Sequence, residues 1–484
     1  MSRTPFLPAT RQLLAFGAAL HLLVGCPGPV DDPDGGVEPS VETDAGEPDA
    51  QPDTEEPEGQ PDGGEPDVPT DAGEPEVPVT DGGAAPDAGS GNDAGTADAG
   101  ADVDAGAPDA GVEGAPRFAF ITQVFGESTN SYVVLSDSLE GDTQLGTENA
   151  IEIPGRALGF GPQQAGVLFV TGDESPALTR YRLQRDGSLV EDGTVSFAAE
   201  GVTSIGEYST QMIFLSDTKA YFVDGGTGKV ILWNPTALTV THSTTVAGLL
   251  VTDATTAMSQ TRWHLINNKI YFPVGWRLGL AVHPQAGMLV IDTTDDSAAL
   301  VTDSRGGYVR DAVHHTDDKL YVATETYGAT VHRINNALAP APVMLRFDPA
   351  TDTYDDAFSV DLAALTGHAA AGMLTASPDG TVTLRFLDET AYTVEDDAHP
   401  RAVSGVPFWG TLQVTLGDEP VVSPRPDLPL SAGSVLTFDV GNATVVPQFA
   451  GDYAKSSLLV MESGIPAETS LDVTGLVFSM VRLR

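Results

Sequence analysis

Between Arg117 and Arg484, runs of four to seven Val, Ile, Leu, Phe and Tyr residues alternate with clusters of Gly, Asp, Asn, Pro and Thr. No stretch sustains the 3.6-residue apolar period of an amphipathic helix, so the pattern predicts an all-β region of short strands. One set of runs recurs: Phe118–Thr122 (FAFIT), Val167–Thr171 (VLFVT), Ala220–Asp224 (AYFVD), Ile270–Val274 (IYFPV), Leu320–Thr324 (LYVAT) and Val382–Leu387 (VTLRFL). Their starts lie about 50 residues apart, with one longer gap near the sixth. A second set follows most of them, at Leu178–Leu183, Val230–Pro235, Met288–Asp292 and Val343–Pro349. A third set precedes them and is clearest at Ala371–Gly380. Asn267-Asn268, Asp317-Asp318 and Pro378-Asp379-Gly380 supply hairpin turns in matching places.

A period near 50 residues built from four-strand units is the pattern of a β-propeller. A lone four-stranded sheet has two apolar faces and covers neither. Blades stacked around an axis cover both, and a closed ring leaves no end blade exposed. The 368 residues from Arg117 onward divide into seven such blades, with the chain ends expected to meet in one shared blade. Leu471–Leu483 (LDVTGLVFSMVRL) is apolar enough to be the closing strand beside Phe118–Thr122. Paired β-sandwiches would not explain spacing this even, and the blocks are unlike the short rungs of a β-helix.

The strings Leu320-Tyr321-Val322, Leu345-Arg346-Phe347-Asp348-Pro349-Ala350-Thr351-Asp352-Thr353 and Ser377-Pro378-Asp379-Gly380 resemble bacterial propellers of the YVTN and quinoprotein type. That resemblance implies a fold and hardly an activity. Thr122-Gln123-Val124-Phe125-Gly126 and Tyr132-Val133-Val134-Leu135-Ser136-Asp137 are more faintly similar to propeller lipoproteins encoded beside siderophore-uptake systems, which implies a context of iron-chelate uptake.

The N-terminal 116 residues add an address. Arg3 and Arg11 precede an apolar run, Leu13 to Val24, broken only by His21. This is a secretory signal, too short for a stable transmembrane anchor. It ends in Leu23-Val24-Gly25-Cys26, and Cys26 is the only cysteine in the 484-residue chain. That ending resembles the bacterial lipobox, which implies cleavage after residue 25 and lipidation of Cys26. Several acyl chains on one residue anchor firmly, since each buried methylene contributes about 0.8 kcal/mol. Pro27 stands where enteric bacteria place an inner-membrane retention Asp, so the expected location is the outer membrane.

From Pro27 to Pro116 the chain carries 26 acidic residues and no Lys or Arg, and Asp-Ala-Gly recurs seven times. Such a segment buries too little apolar surface to offset chain entropy and is expected to be a disordered tether reaching roughly 50 Å or more. The expected organisation is therefore a signal peptide over 1–25, lipidated Cys26 and linker over 26–116, and a propeller over 117–484. Whole-chain charge is −46, and residues 117–484 alone hold 21 basic against 43 acidic side chains. A surface of that sign repels nucleic acid and excludes it as a partner.

Candidate chemistry sits where propellers bind ligands, on the innermost strands and the loops leading into them. Those segments carry Arg156, the run Arg262-Trp263-His264, Arg310, Asp311, His314 and His368. If the blades align as read, these side chains converge on one rim and suit a small anionic ligand. A structural reading competes: the same groups pair with acidic neighbours and fasten strand ends. The acidic loop Asp348–Asp356 lacks the Gly turn and terminal Glu of an EF-hand and reads as a hairpin tip, so no metal site is expected there. Nucleophile elbow, HExxH, P-loop, Rossmann fingerprint and haem-attachment motifs are all missing, and no particular cofactor is implied. Two functions remain open. The first is a lipid-anchored propeller that binds a ligand or a partner protein. The second is a tethered enzyme, lactonase-like or a quinoprotein relative, which would require His264, Arg310, Asp311, His314 and His368 to share a common point.

Overall fold

A computed structural model describes residues 115–484 except 127, 142–143, 173, 207–210, 259–260, 378–379, 442, 451–452 and 463–467. The signal, Cys26 and the acidic segment lie outside the described residues. Seven antiparallel sheets follow one another along the chain, each running from an inner strand to an outer one, and together they form a seven-bladed β-propeller. Blade 1 has the inner strand Leu476–Arg482, then Phe118–Phe125, Thr129–Ser136 and Ile151–Pro154. Blade 2 runs Gly159–Phe160, Val167–Thr171, Ala177–Leu183 and Leu189–Ser196; blade 3 runs Met212–Ser216, Lys219–Asp224, Lys229–Asn234 and Thr239–Thr245. Blade 4 runs Thr255–Met258, Lys269–Leu278, Ala286–Asp292 and Ala298–Asp303; blade 5 runs Val309–His314, Leu320–Thr324, Val343–Asp348 and Thr353–Asp361. Blade 6 comprises Ala371–Ala376, Val382–Leu387, Trp409–Thr415 and Val421–Pro424, and blade 7 Phe438–Val440, Ala443–Phe449, Lys455–Glu462 and Glu468–Thr474.

All six recurrent apolar runs are the second strand from the axis in their blades. That strand is covered on both faces by neighbouring blades, which is why it reads as a continuous apolar run rather than an alternating one. The sequence also predicts the ring closure, with one difference. Leu471–Leu483 is two strands, split at Gly475, whose φ of 78° turns the chain from the outer edge of blade 7 to the axis. Only the second part, Leu476–Arg482, pairs with Phe118–Phe125.

Among the described residues three short α-helices depart from the all-strand reading: α1 (Thr326–Ile334), α2 (Leu362–Thr366) and α3 (Pro400–Gly405). They fill connections between strands, and α1, between the second and third strands of blade 5, produces the long gap before the sixth run. Its N-terminus is capped by the carboxylate of Glu325, which accepts from the Tyr327 amide. Among the described residues no helix is long and apolar enough to cross a membrane.

A Lys-x-Tyr string at the head of successive second strands fastens one blade to the next. Lys219 and Tyr221 of blade 3 both hold Asp296, at the tip of the outer hairpin of blade 4, with the lysine at 2.7 Å. Lys269 and Tyr271 of blade 4 hold Asp352 of blade 5 at 2.5 and 2.7 Å. Both aspartates have left-handed backbones, which turn their carboxylates back toward the preceding blade. The third repetition breaks: Lys319 and Tyr321 bond Asp348 and Asp317 within blade 5, and Arg346 reaches Asp418 of blade 6 at 2.6 Å instead. The acidic string 348–356 is thus a hairpin tip, with Asp348, Asp352 and Asp355 held by Lys319, Lys269 and Arg346.

Candidate ligand site in the central channel

The inner strands are the least regular in the molecule. The inner edge of blade 4 is interrupted: Thr255–Met258 pairs with one half of Lys269–Leu278 and His264–Ile266 with the other. Arg262 and Trp263 occupy the interruption and face a cavity of about 500 Å³ around the axis. Its walls are Phe160, Phe214, Trp263 and Met480, and its polar groups come from Gln163, Arg262, His264 and Asp439. It lies toward the end where inner strands turn into second strands, opposite the connecting loops that lead into them.

Arg262 bars the channel. Its Nη2 donates to the carbonyl of Ala376 in blade 6 at 2.7 Å and lies 2.9 Å from a carboxylate oxygen of Asp439 in blade 7. One guanidinium therefore links three blades across the axis and presents, with Asp439, a donor beside an acceptor.

The neighbouring residues join blade 4 to blade 5. Asp311 Oδ1 accepts from the Thr261 amide and hydroxyl at 3.1 and 2.6 Å, His264 Nε2 donates to the Ala312 carbonyl at 2.8 Å, and Arg310 Nε donates to the Met258 carbonyl at 2.8 Å. The His314 ring lies 6.3 Å from that of His264 and is exposed. His368 stacks on Phe386 of its own blade with ring centroids 4.0 Å apart. Arg156 lies in the loop entering blade 2. Neither His368 nor Arg156 lines the cavity, because both precede their inner strands and so stand toward the other end of the channel. The structure thus gathers Arg262, Trp263 and His264 at the cavity and Arg310 and Asp311 behind them. Phe160, Phe214 and Asp439 were not singled out as site residues from the sequence, since their strands are two to five residues long and carry no periodic signal, and Gln163 lies in the turn that follows the first of them.

Burial sets the protonation of this group. Asp311, 1% exposed, is pushed up to about 6 by burial, against the pull of the Thr261 hydrogen bonds and Arg310. Its Oδ2 is buried without a hydrogen-bond partner, where a carboxyl proton can reside. His264 keeps some exposure to the cavity but lies deep between blades, and that depth drives its pKa down to about 4.

The two shifts have opposite linkage. Asp311 holds its proton more tightly folded than unfolded, so its contribution to stability is full below pH 4 and is lost as pH rises to about 6. His264 must shed its proton to fold, so it costs stability near pH 4 and the cost disappears toward pH 6.5. Asp311→Asn removes the first and leaves the second. Relative to wild type the variant should gain about 2 kcal/mol between pH 4 and pH 6, and about 3 kcal/mol over the whole titration, read from urea midpoints. Parallel profiles for the two proteins would show that Asp311 titrates as an ordinary carboxylate. Among the described residues no group of three or more His, Cys, Asp or Glu side chains could hold a metal ion.

Fold and site together define a closed seven-bladed propeller with an aromatic-lined, arginine-barred channel. Neither a family model nor a curated protein matches the chain. Among solved structures it is similar to the periplasmic gluconolactonase PpgL of Pseudomonas aeruginosa, at 13% identity over 76% of this chain and 99% of that one, with a TM-score of 0.46. A putative 6-phosphogluconolactonase of Bacteroides uniformis is 10% identical over 76% of this chain and 99% of that one, with a TM-score of 0.43. The β-propeller domain of the Trilobed protease of Pyrococcus furiosus, described as having an open velcro topology, is 10% identical over 73% and 95%, with a TM-score of 0.36. Likeness at these identities bears on the fold alone.

Proposed function

We propose that this chain is a binding propeller, displayed outside the cytoplasm by lipid on Cys26, that takes a small, flat, partly apolar ligand bearing an anionic or hydroxyl group into its central channel. The observation that carries this reading is the cavity itself. Its volume falls within the several-hundred-Å³ range of ligand pockets, its walls are aromatic, and its one ion pair, Arg262–Asp439, offers a donor and an acceptor side by side. A hydrolase is less well supported. His264 Nε2 and Asp311 Oδ1 are engaged by a backbone carbonyl and by Thr261, His368 stacks on Phe386, and no hydrogen bond joins a histidine to a carboxylate in this group. The outer-membrane location and the connection with iron-chelate uptake rest on the N-terminal signal and on the faint resemblance of the first strands.

The test uses the cavity's own reporter. Of the four tryptophans, Trp233, Trp276 and Trp409 are fully buried and Trp263 faces the cavity. Titrating purified protein with aromatic carboxylates, catecholate iron chelates and sugar lactones should give, for one class, a saturable change in tryptophan emission that Trp263→Phe abolishes. Turnover of a lactone with a rate that falls in His264→Ala and Asp311→Asn would overturn the binding reading. In the producing cell, Cys26→Ser should move the protein from the membrane to the soluble fraction; an unchanged distribution would remove the anchor.

A further inference from the structure

A second cavity, of about 60 Å³, lies between blades 6 and 7 and holds a charge that no carboxylate among the described residues neutralises. Arg385, in the second strand of blade 6, is 7% exposed. Its guanidinium donates only to neutral oxygens: the Thr411 hydroxyl, the Ser431 hydroxyl at 2.6 Å, and the carbonyls of Trp409 and Ala432, each at 2.8 Å. Its Nε–H is buried with no hydrogen-bond partner. Among the described residues no acidic side chain lines the cavity. Burial alone, with no opposing carboxylate, lowers the pKa of this arginine to about 10, so it remains cationic at neutral pH. An isolated buried cation is expensive unless a counter-charge sits beside it.

We propose that this cavity is a binding site for a small monovalent anion, of chloride or formate size, held by Arg385. The lining fits that class. Thr375, Thr383 and Thr411 supply hydroxyls, while Val446, Leu459 and Met461 supply a dry wall. The volume exceeds the roughly 10–15 Å³ that one water-sized probe needs and falls well short of a metabolite pocket. A dianion such as sulfate would bring two charges against one and a larger desolvation cost. The site is separate from the ligand cavity of the channel, although Thr437 borders both.

The experiment exchanges sodium chloride for sodium gluconate at constant ionic strength and follows the thermal midpoint of the purified protein. The wild type should show a saturable rise of about 2–5 °C with chloride. Arg385→Met should lose the response, and Arg385→Lys should keep a weaker one. Should Arg385→Met fail to fold, the line width of chloride in ³⁵Cl NMR reads the same site in the wild type: broadening by the protein that formate reverses supports the assignment. Equal midpoints in chloride and gluconate, or no broadening that formate reverses, would overturn it and leave water as the occupant. Neither readout involves Trp263, so this site and the channel reading can fail independently.

Discussion

Removing the last nine residues, Leu476–Arg484, should abolish cooperative folding, leaving a chain with no thermal transition. These residues supply the inner strand of blade 1, whose other three strands come from the opposite end of the described chain. Leu476, Val477, Met480, Val481 and Leu483 are all at most 4% exposed, and the last four divide between two core clusters. One contains Phe120 and Val445, the other Ile121 and Leu168, so a single strand glues blade 1 to both neighbours. At about 1.5–3 kcal/mol per buried aliphatic side chain, the loss is comparable with the whole net stability of a typical domain, about 5–15 kcal/mol. Hydrogen bonds add to it: Leu483 N donates to the Arg117 carbonyl at 2.7 Å, and the Gly159 amide donates to the Ser479 hydroxyl at 2.7 Å. A synthetic peptide of the same nine residues, added in excess, should restore the transition by mass action. A truncated protein that melts like the wild type would show that the ring does not need its closure.

What the sequence made legible follows from which strands are buried on both faces. Second strands are, so Ile270–Val274 or Leu320–Thr324 stands out as an unbroken apolar run, and Asn267-Asn268, both in left-handed conformations, marks its hairpin by turn chemistry alone. Blade 7 escaped because its second strand, Ala443–Phe449, contains Pro447 and follows a Pro-rich stretch that blurs the 50-residue beat. The channel was legible only in part for a different reason. A site on the axis draws one short segment from each of several blades, and its defining pair, Arg262 and Asp439, is 177 residues apart. No local pattern records such a contact. Arg385 did leave a trace: a charged residue inside Val382–Leu387, a run otherwise read as buried on both sides, is a buried cation by placement. The recurring Lys-x-Tyr strings were likewise present at 50-residue intervals, but their meaning depends on aspartates that only folding brings alongside.

Trp233→Ala should be the most damaging single substitution, costing about 3–5 kcal/mol in urea unfolding. Trp233 is fully buried in the third strand of blade 3 and meets the edges of Phe169 and Phe197 from blade 2 and Phe214 from its own inner strand, with ring centroids 5.2, 5.7 and 5.7 Å away. The cavity left by alanine would open between two blades, where the ring cannot collapse without shifting a whole sheet, so the cost belongs at the upper end of that range. Trp233→Phe separates volume from polarity. The indole Nε1–H is buried with no hydrogen-bond partner, so phenylalanine removes an unpaired donor while keeping most of the apolar contact, and it should cost less than half as much. Equal losses for the two variants would mean that the indole makes a contact the aromatic cluster does not explain. The alanine variant also reaches the function, because Phe214 touches Trp233 on one side and walls the channel cavity on the other. Loosening it should weaken any ligand that alters Trp263 emission, whereas a substitution of equal cost on the far side of the ring should not. Stability between blades and shape at the axis are then the same packing seen from two sides, which is how a propeller with irregular inner strands can still hold a defined site.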